Sequence, residues 1–109
     1  MAAPWIAFLD GLKDEAGSVA KGELKGLITD SLTDGEEFIR RQAGKVERYL
    51  NQIALGEITT EEFKGYMVDI EELTRMQVLK LQVAAKARAQ RLADGIQSLI
   101  IDKLIALIP

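Results

Sequence analysis

Apolar residues recur every three or four positions along this 109-residue chain, and nowhere do they alternate with polar ones over the length of a strand. That period predicts an all-α fold. Pro4 stands where a first-turn proline is tolerated, and Trp5, Phe8, Leu9, Leu12, Ala16, Val19 and Ala20 then fall on one face, predicting a helix over residues 4–20. Gly11, Gly17, Gly22 and Gly26 each weaken helix by up to about 1 kcal/mol relative to Ala. A Gly-rich bend is therefore expected over residues 22–35.

The stretch Thr29 to Glu37 is dense in capping and turn residues and ends on two acids that favour a helix N-terminus. A helix over residues 35–55 follows, with Phe38, Gln42, Val46, Tyr49 and Ile53 as its stripe and Gly56 as its stop. The sharpest local signal comes next. Thr59 and Glu62 are spaced as a capping box, and Ile58 and Phe63 as the accompanying hydrophobic staple.

From there good helix formers run on, and a helix over residues 60–107 is expected. Unbroken, it would be about 70 Å long at 1.5 Å per residue, against a radius of gyration of about 13 Å for a compact chain of this size. The helix must either bend, with Gly95 the expected place, or project and be covered by another chain. Around its last turns Ile96, Leu99, Ile100, Ile101, Leu104, Ile105, Leu107 and Ile108 occupy more than half the circumference, more than one neighbouring helix covers. A central place in the chain's own bundle, a homo-oligomer interface and a lipid surface are the three candidate coverings. The expected architecture is one domain over residues 1–109, a bundle of three to four helices with a long C-terminal helix.

Charge adds an asymmetry. Residues 57–75 carry six acids (Glu57, Glu61, Glu62, Asp69, Glu71, Glu72) against Lys64 and Arg75, whereas residues 76–109 carry five bases (Lys80, Lys86, Arg88, Arg91, Lys103) against Asp94 and Asp102. Two copies of the long helix lying antiparallel would match acidic halves to basic ones.

Composition removes much chemistry. The chain has no Cys and no His, so disulfides, the usual ligands of zinc, haem and iron–sulfur clusters, and every nucleophile–base pair built on those residues are excluded. The pairs Glu36-Glu37, Glu61-Glu62 and Glu71-Glu72 are adjacent residues, about 100° apart on a helix, and two of the pairs sit where helix starts want acids. No metal site, cofactor or small-molecule substrate is expected. A net charge of −3 argues against a nucleic-acid partner, although Arg41, Lys45 and Arg48, with Arg40 beside them, form a basic stripe, and Arg88 and Arg91 a shorter one. Gly22 and Gly26 have GxxxG spacing outside any apolar membrane helix, and no phosphate-cradling glycine loop is present.

No positive charge precedes the apolar run Trp5 to Leu9 and Asp10 ends it, so no signal peptide is expected; no run approaches the roughly 20 apolar residues of a membrane span. The expected setting is cytoplasmic. These features point to a non-enzymatic structural, scaffold or assembly protein that self-associates or docks on a partner protein through its C-terminal helix. The expected contacts are Met67, Ile70, Leu73, Leu81, Ile96, Leu99, Ile100, Leu104 and Ile108. The alternative is a peripheral membrane protein that applies Trp5, Phe8, Leu9 and Leu12 together with the C-terminal segment to a lipid surface. Against anionic lipid, the N-terminal stretch sets Asp10, Asp14 and Glu15 against a single Lys13.

Overall fold

In a computed structural model, which describes residues 3–14, 17 and 20–108, the chain is all-helical, with no strand among the described residues. Helices α1 (Pro4–Gly11), α2 (Lys21–Leu32), α3 (Glu37–Ala54), α4 (Thr60–Val78) and α5 (Val83–Gly95) follow in order. The last continues without a break through a π-helical segment, Ile96–Leu104, into a final turn, α6 (Ile105–Leu107).

Helices α2, α3, α4 and α5 pack in sequence and α5 returns to α2, closing a ring of four. Helix α1 lies on α3 and α2, and the π segment packs on α4. Trp5, Leu9, Leu24, Ile28, Ile39, Leu50, Phe63, Met67, Leu92, Ile96, Ile100 and Leu104 are the large side chains at the centre of one continuous core. The radius of gyration is 13.4 Å.

Local chemistry sets several ends. Thr59 Oγ1 accepts from the Glu62 amide (3.1 Å) and Glu62 Oε1 from the Thr59 amide (2.9 Å), so the capping box forms as its spacing predicts. Helix α3 stops in a Schellman turn: the Glu57 amide donates to Gln52 O (2.8 Å) and the Gly56 amide to Ile53 O (3.2 Å). Gly56 takes the φ of +71° that this turn requires.

Three expectations about element boundaries give way. The helix expected over residues 4–20 ends at Gly11, with Leu12 extended and Ala20 left-handed at the head of α2; Ala16 and Val19 lie outside the described residues. The Gly-rich bend expected over residues 22–35 is mostly helix. Leu24, Leu27, Ile28 and Ser31 sit i, i+3, i+4, i+7, and their burial outweighs the weak propensity of Gly22 and Gly26.

The helix expected over residues 60–107 breaks between Val78 and Val83, not near Gly95. Folding back there lays Ala85, Ala89, Leu92, Ala93 and Ile96 inside the bundle, together with Phe63, Met67, Ile70 and Thr74 of α4. A straight helix would leave both stripes in water, and the burial gained overrides the local preference to continue. The alanines at i, i+4 and i+8 let α5 approach its neighbours closely. Gly95 is helical and serves packing: a Cβ there would meet Leu27 Cδ2 at 2.1 Å.

Candidate docking groove

A concavity of about 330 Å³ opens between α3 and α4. Lys45, Arg48 and Tyr49 line it from α3 at i, i+3 and i+4, and Tyr66, Asp69, Ile70 and Leu73 from α4 at i, i+3, i+4 and i+7. Each set is one face of its helix. The short capped turn between the two helices makes them antiparallel neighbours and brings those faces together.

The groove is organised by its aromatic pair. The Tyr49 and Tyr66 rings stack with centroids 4.2 Å apart and planes 12° from parallel. The Arg48 guanidinium lies 5.0 Å from the Tyr49 centroid, and its Nη2 donates to the Tyr49 hydroxyl at 3.3 Å. Ile70 is buried and Leu73 half-buried. Among the described residues, Lys45, Arg48 and Asp69 take part in no ion pair. Two cations and one carboxylate thus border an apolar, aromatic surface without an ion-pair partner among the described residues.

Behind the groove lies a polar contact inside the core. Gln42 is fully buried on α3; its Nε2 donates to Thr74 Oγ1 (3.2 Å) and Ile70 O (3.4 Å), and Thr74 Oγ1 donates to Ile70 O (2.7 Å). Gln42 Oε1 has no hydrogen-bond partner among the described residues.

The expected contact residues do not form a free surface. Met67, Ile70, Ile96, Leu99, Ile100 and Leu104 lie in the chain's own core, and Leu73, Leu81 and Ile108 are half-buried. Trp5 and Leu9 are buried as well, and Phe8 and Leu12 pack against the core. Trp5 is held to α3 by two hydrogen bonds, from its amide to Asn51 Oδ1 and from its indole to Glu47 Oε2, each 3.0 Å. Of the residues expected to meet a partner or lipid, eight are thus covered within the chain, and Phe8, Leu12, Leu73, Leu81 and Ile108 are covered only in part. Of the whole set, Ile70 and Leu73 line the groove.

The acidic pairs have local employment. Glu36 caps α3 by accepting from the Phe38 amide, Glu37 pairs with Arg41, Glu62 closes the capping box and Glu71 pairs with Arg75. Among the described residues no group of acidic side chains is placed to hold a metal ion. Of the basic stripe, Arg41 is occupied by Glu37 at 3.0 Å, which leaves Lys45 and Arg48 to face the groove.

Sequence reasoning missed two features. The tyrosine stack joins residues far apart in sequence, and only the pairing of α3 with α4 creates it. Met76, Leu79 and Val83, exposed at the α4–α5 corner, were hidden by the expectation of an unbroken helix.

No helix among the described residues is long and apolar enough to cross a membrane. The chain matches no protein-family model, and neither the curated proteins nor the solved structures contain a significant match to it.

Proposed function

We propose that the chain is a non-enzymatic helical docking module that takes an acidic segment of a partner protein into the groove between α3 and α4. The observation that carries this reading is the pair of unpaired cations, Lys45 and Arg48, beside the stacked tyrosines and the apolar Ile70 and Leu73. A tyrosine surface supplies area at low conformational cost, and arginine and tyrosine together make the usual anchors of protein interfaces. The volume lies at the small end for ligand sites, the size of a few side chains. Asp69 repels acids from its own end of the groove, so the ligand's carboxylates are directed to the α3 wall.

This reading keeps the partner-protein role expected from the sequence and moves its surface. The C-terminal residues 96–108 supply core, and α3 and α4 supply the contact.

Selection from a displayed random-peptide library tests it. Enriched peptides should carry paired acids next to an aliphatic or aromatic residue. Their affinity should fall with added salt and drop about tenfold or more in a Lys45→Glu/Arg48→Glu variant. Enrichment of neutral peptides, or binding indifferent to that variant, would overturn it.

A further inference from the structure

Among the described residues four large apolar side chains are exposed, and three of them gather at one end of the bundle. Met76 is 70% exposed, Leu79 81% and Val83 83%, and all lie within three residues of the corner 79–82 between α4 and α5. The same stretch is basic: from Met76 to Gln90 the chain carries Lys80, Lys86 and Arg88 and no acid. The flanking acids on the two helices are Glu72, one turn before Met76, and Asp94, which is held by Arg75 and Gln90. From the α2–α3 turn, Asp34 is engaged by Arg88, with Glu36 nearby. Lys80 and Lys86 have no ion-pair partner among the described residues.

We propose that this corner is a lipid-insertion edge: Met76, Leu79 and Val83 enter the headgroup–acyl boundary of an anionic bilayer while Lys80 and Lys86 meet its phosphates. Two observations choose lipid over a second copy. A stable protein interface needs roughly 800 Å² and about 20 residues on each side, and three exposed side chains at and beside a four-residue corner fall far short of that. A bilayer, in contrast, accepts a convex apolar point without a matching surface, and its anionic headgroups complement the free lysines. None of these five residues lines the groove between α3 and α4, and none belongs to the N- and C-terminal segments that the sequence first suggests for lipid.

The test is co-sedimentation of the full chain with vesicles of equal parts phosphatidylcholine and phosphatidylglycerol, beside vesicles of phosphatidylcholine alone. Binding is expected on the mixed vesicles and about tenfold weaker on the neutral ones. It should be lost in a Leu79→Ser/Val83→Ser variant and in a Lys80→Glu/Lys86→Glu variant, both checked for unchanged circular dichroism, and retained in the Lys45→Glu/Arg48→Glu variant. A Leu79→Trp variant should shift its emission to the blue on the mixed vesicles. Absence of binding to the mixed vesicles, or equal binding by the Leu79→Ser/Val83→Ser variant, overturns the proposal. So does a lipid-free dimer that dissociates in that variant, since a second copy would then cover the corner.

Discussion

Arg88 grips Asp34 with two nitrogens across 54 positions of chain: Nε donates to Oδ2 at 2.8 Å and Nη2 to Oδ1 at 3.1 Å. The fork ties α5 to the turn between α2 and α3, a geometry that a lysine would not reproduce. The Asp34 side chain is only 9% exposed, and burial alone would raise its pKa. The hydrogen bonds from Arg88 outweigh that penalty and, with the Glu36 amide, hold the carboxyl below its ordinary value.

The sign of the pH dependence follows. A carboxyl whose pKa is lower in the folded state adds stability above its unfolded pKa, about 3.9, and loses it as pH falls through the folded value. Urea midpoints should therefore decline below about pH 5, and an Asp34→Asn variant should be less stable at neutral pH with a shallower acid limb. An acid limb of unchanged slope in that variant would assign the titration to other carboxylates.

Gly95 and Leu27 make the second prediction. The Cβ of a Gly95→Ala variant would overlap Leu27 Cδ2, and Leu27 is buried. Overpacking of this kind costs about 1–3 kcal/mol, against about 1 kcal/mol gained in helix propensity. The substitution should destabilise the native chain yet stabilise a Leu27→Ala variant by about 0.5–1 kcal/mol. Denaturant unfolding of the four proteins in that cycle checks the reversal of sign.

What could be read from the chain alone was what short-range chemistry decides. Thr59 and Glu62 are three residues apart and needed no tertiary help to form their box. Helix α2 was obscured because the low propensity of Gly22 and Gly26 is local, whereas the burial of Leu24, Leu27 and Ile28 exists only once the bundle closes. The break at Leu79 to Gln82 contains neither glycine nor proline. Its signal was the spacing of Ala85, Ala89 and Ala93, which asks for a close neighbour. Gly95, read as a place to bend, turned out to be a place to pack. Half the groove was foreshadowed by the basic stripe through Lys45 and Arg48. Its other wall depends on the register of α4 against α3, and no local pattern encodes the stacking of Tyr49 on Tyr66.

Gln42 tests how the polar core behind the groove is held. Its two donated bonds are long, and Oε1 is buried without a partner, so the gain from the contacts and the cost of the orphan nearly cancel. A Gln42→Met variant should stay within about 1 kcal/mol of the native chain. A Gln42→Glu variant places an unpaired charge in the core and should lose about 3 kcal/mol or more at neutral pH. Because burial raises the pKa of that new carboxyl, the loss is present at high pH and shrinks as pH falls and the group is neutralised. Urea titrations of the three proteins at two pH values read both effects, and a Gln42→Glu defect that persists unchanged in acid would contradict the account.

Ile100 and Leu104 separate an interface from a core. Were they contacts between chains, Ile100→Asp or Leu104→Asp would disperse an assembly and leave the helices intact. Both side chains are fully buried within their own chain, in the π-helical segment that packs on α4. An aspartate in either place stands among apolar core side chains and carries a desolvation penalty of several kcal/mol, a large share of the roughly 5–15 kcal/mol that stabilises a domain. Either substitution should abolish the cooperative thermal transition and most of the helical circular dichroism. Light scattering of the native chain should not depend on these residues while it remains folded. A variant that keeps its helical signal and changes only its molar mass would return the C-terminal segment to the role of an interface.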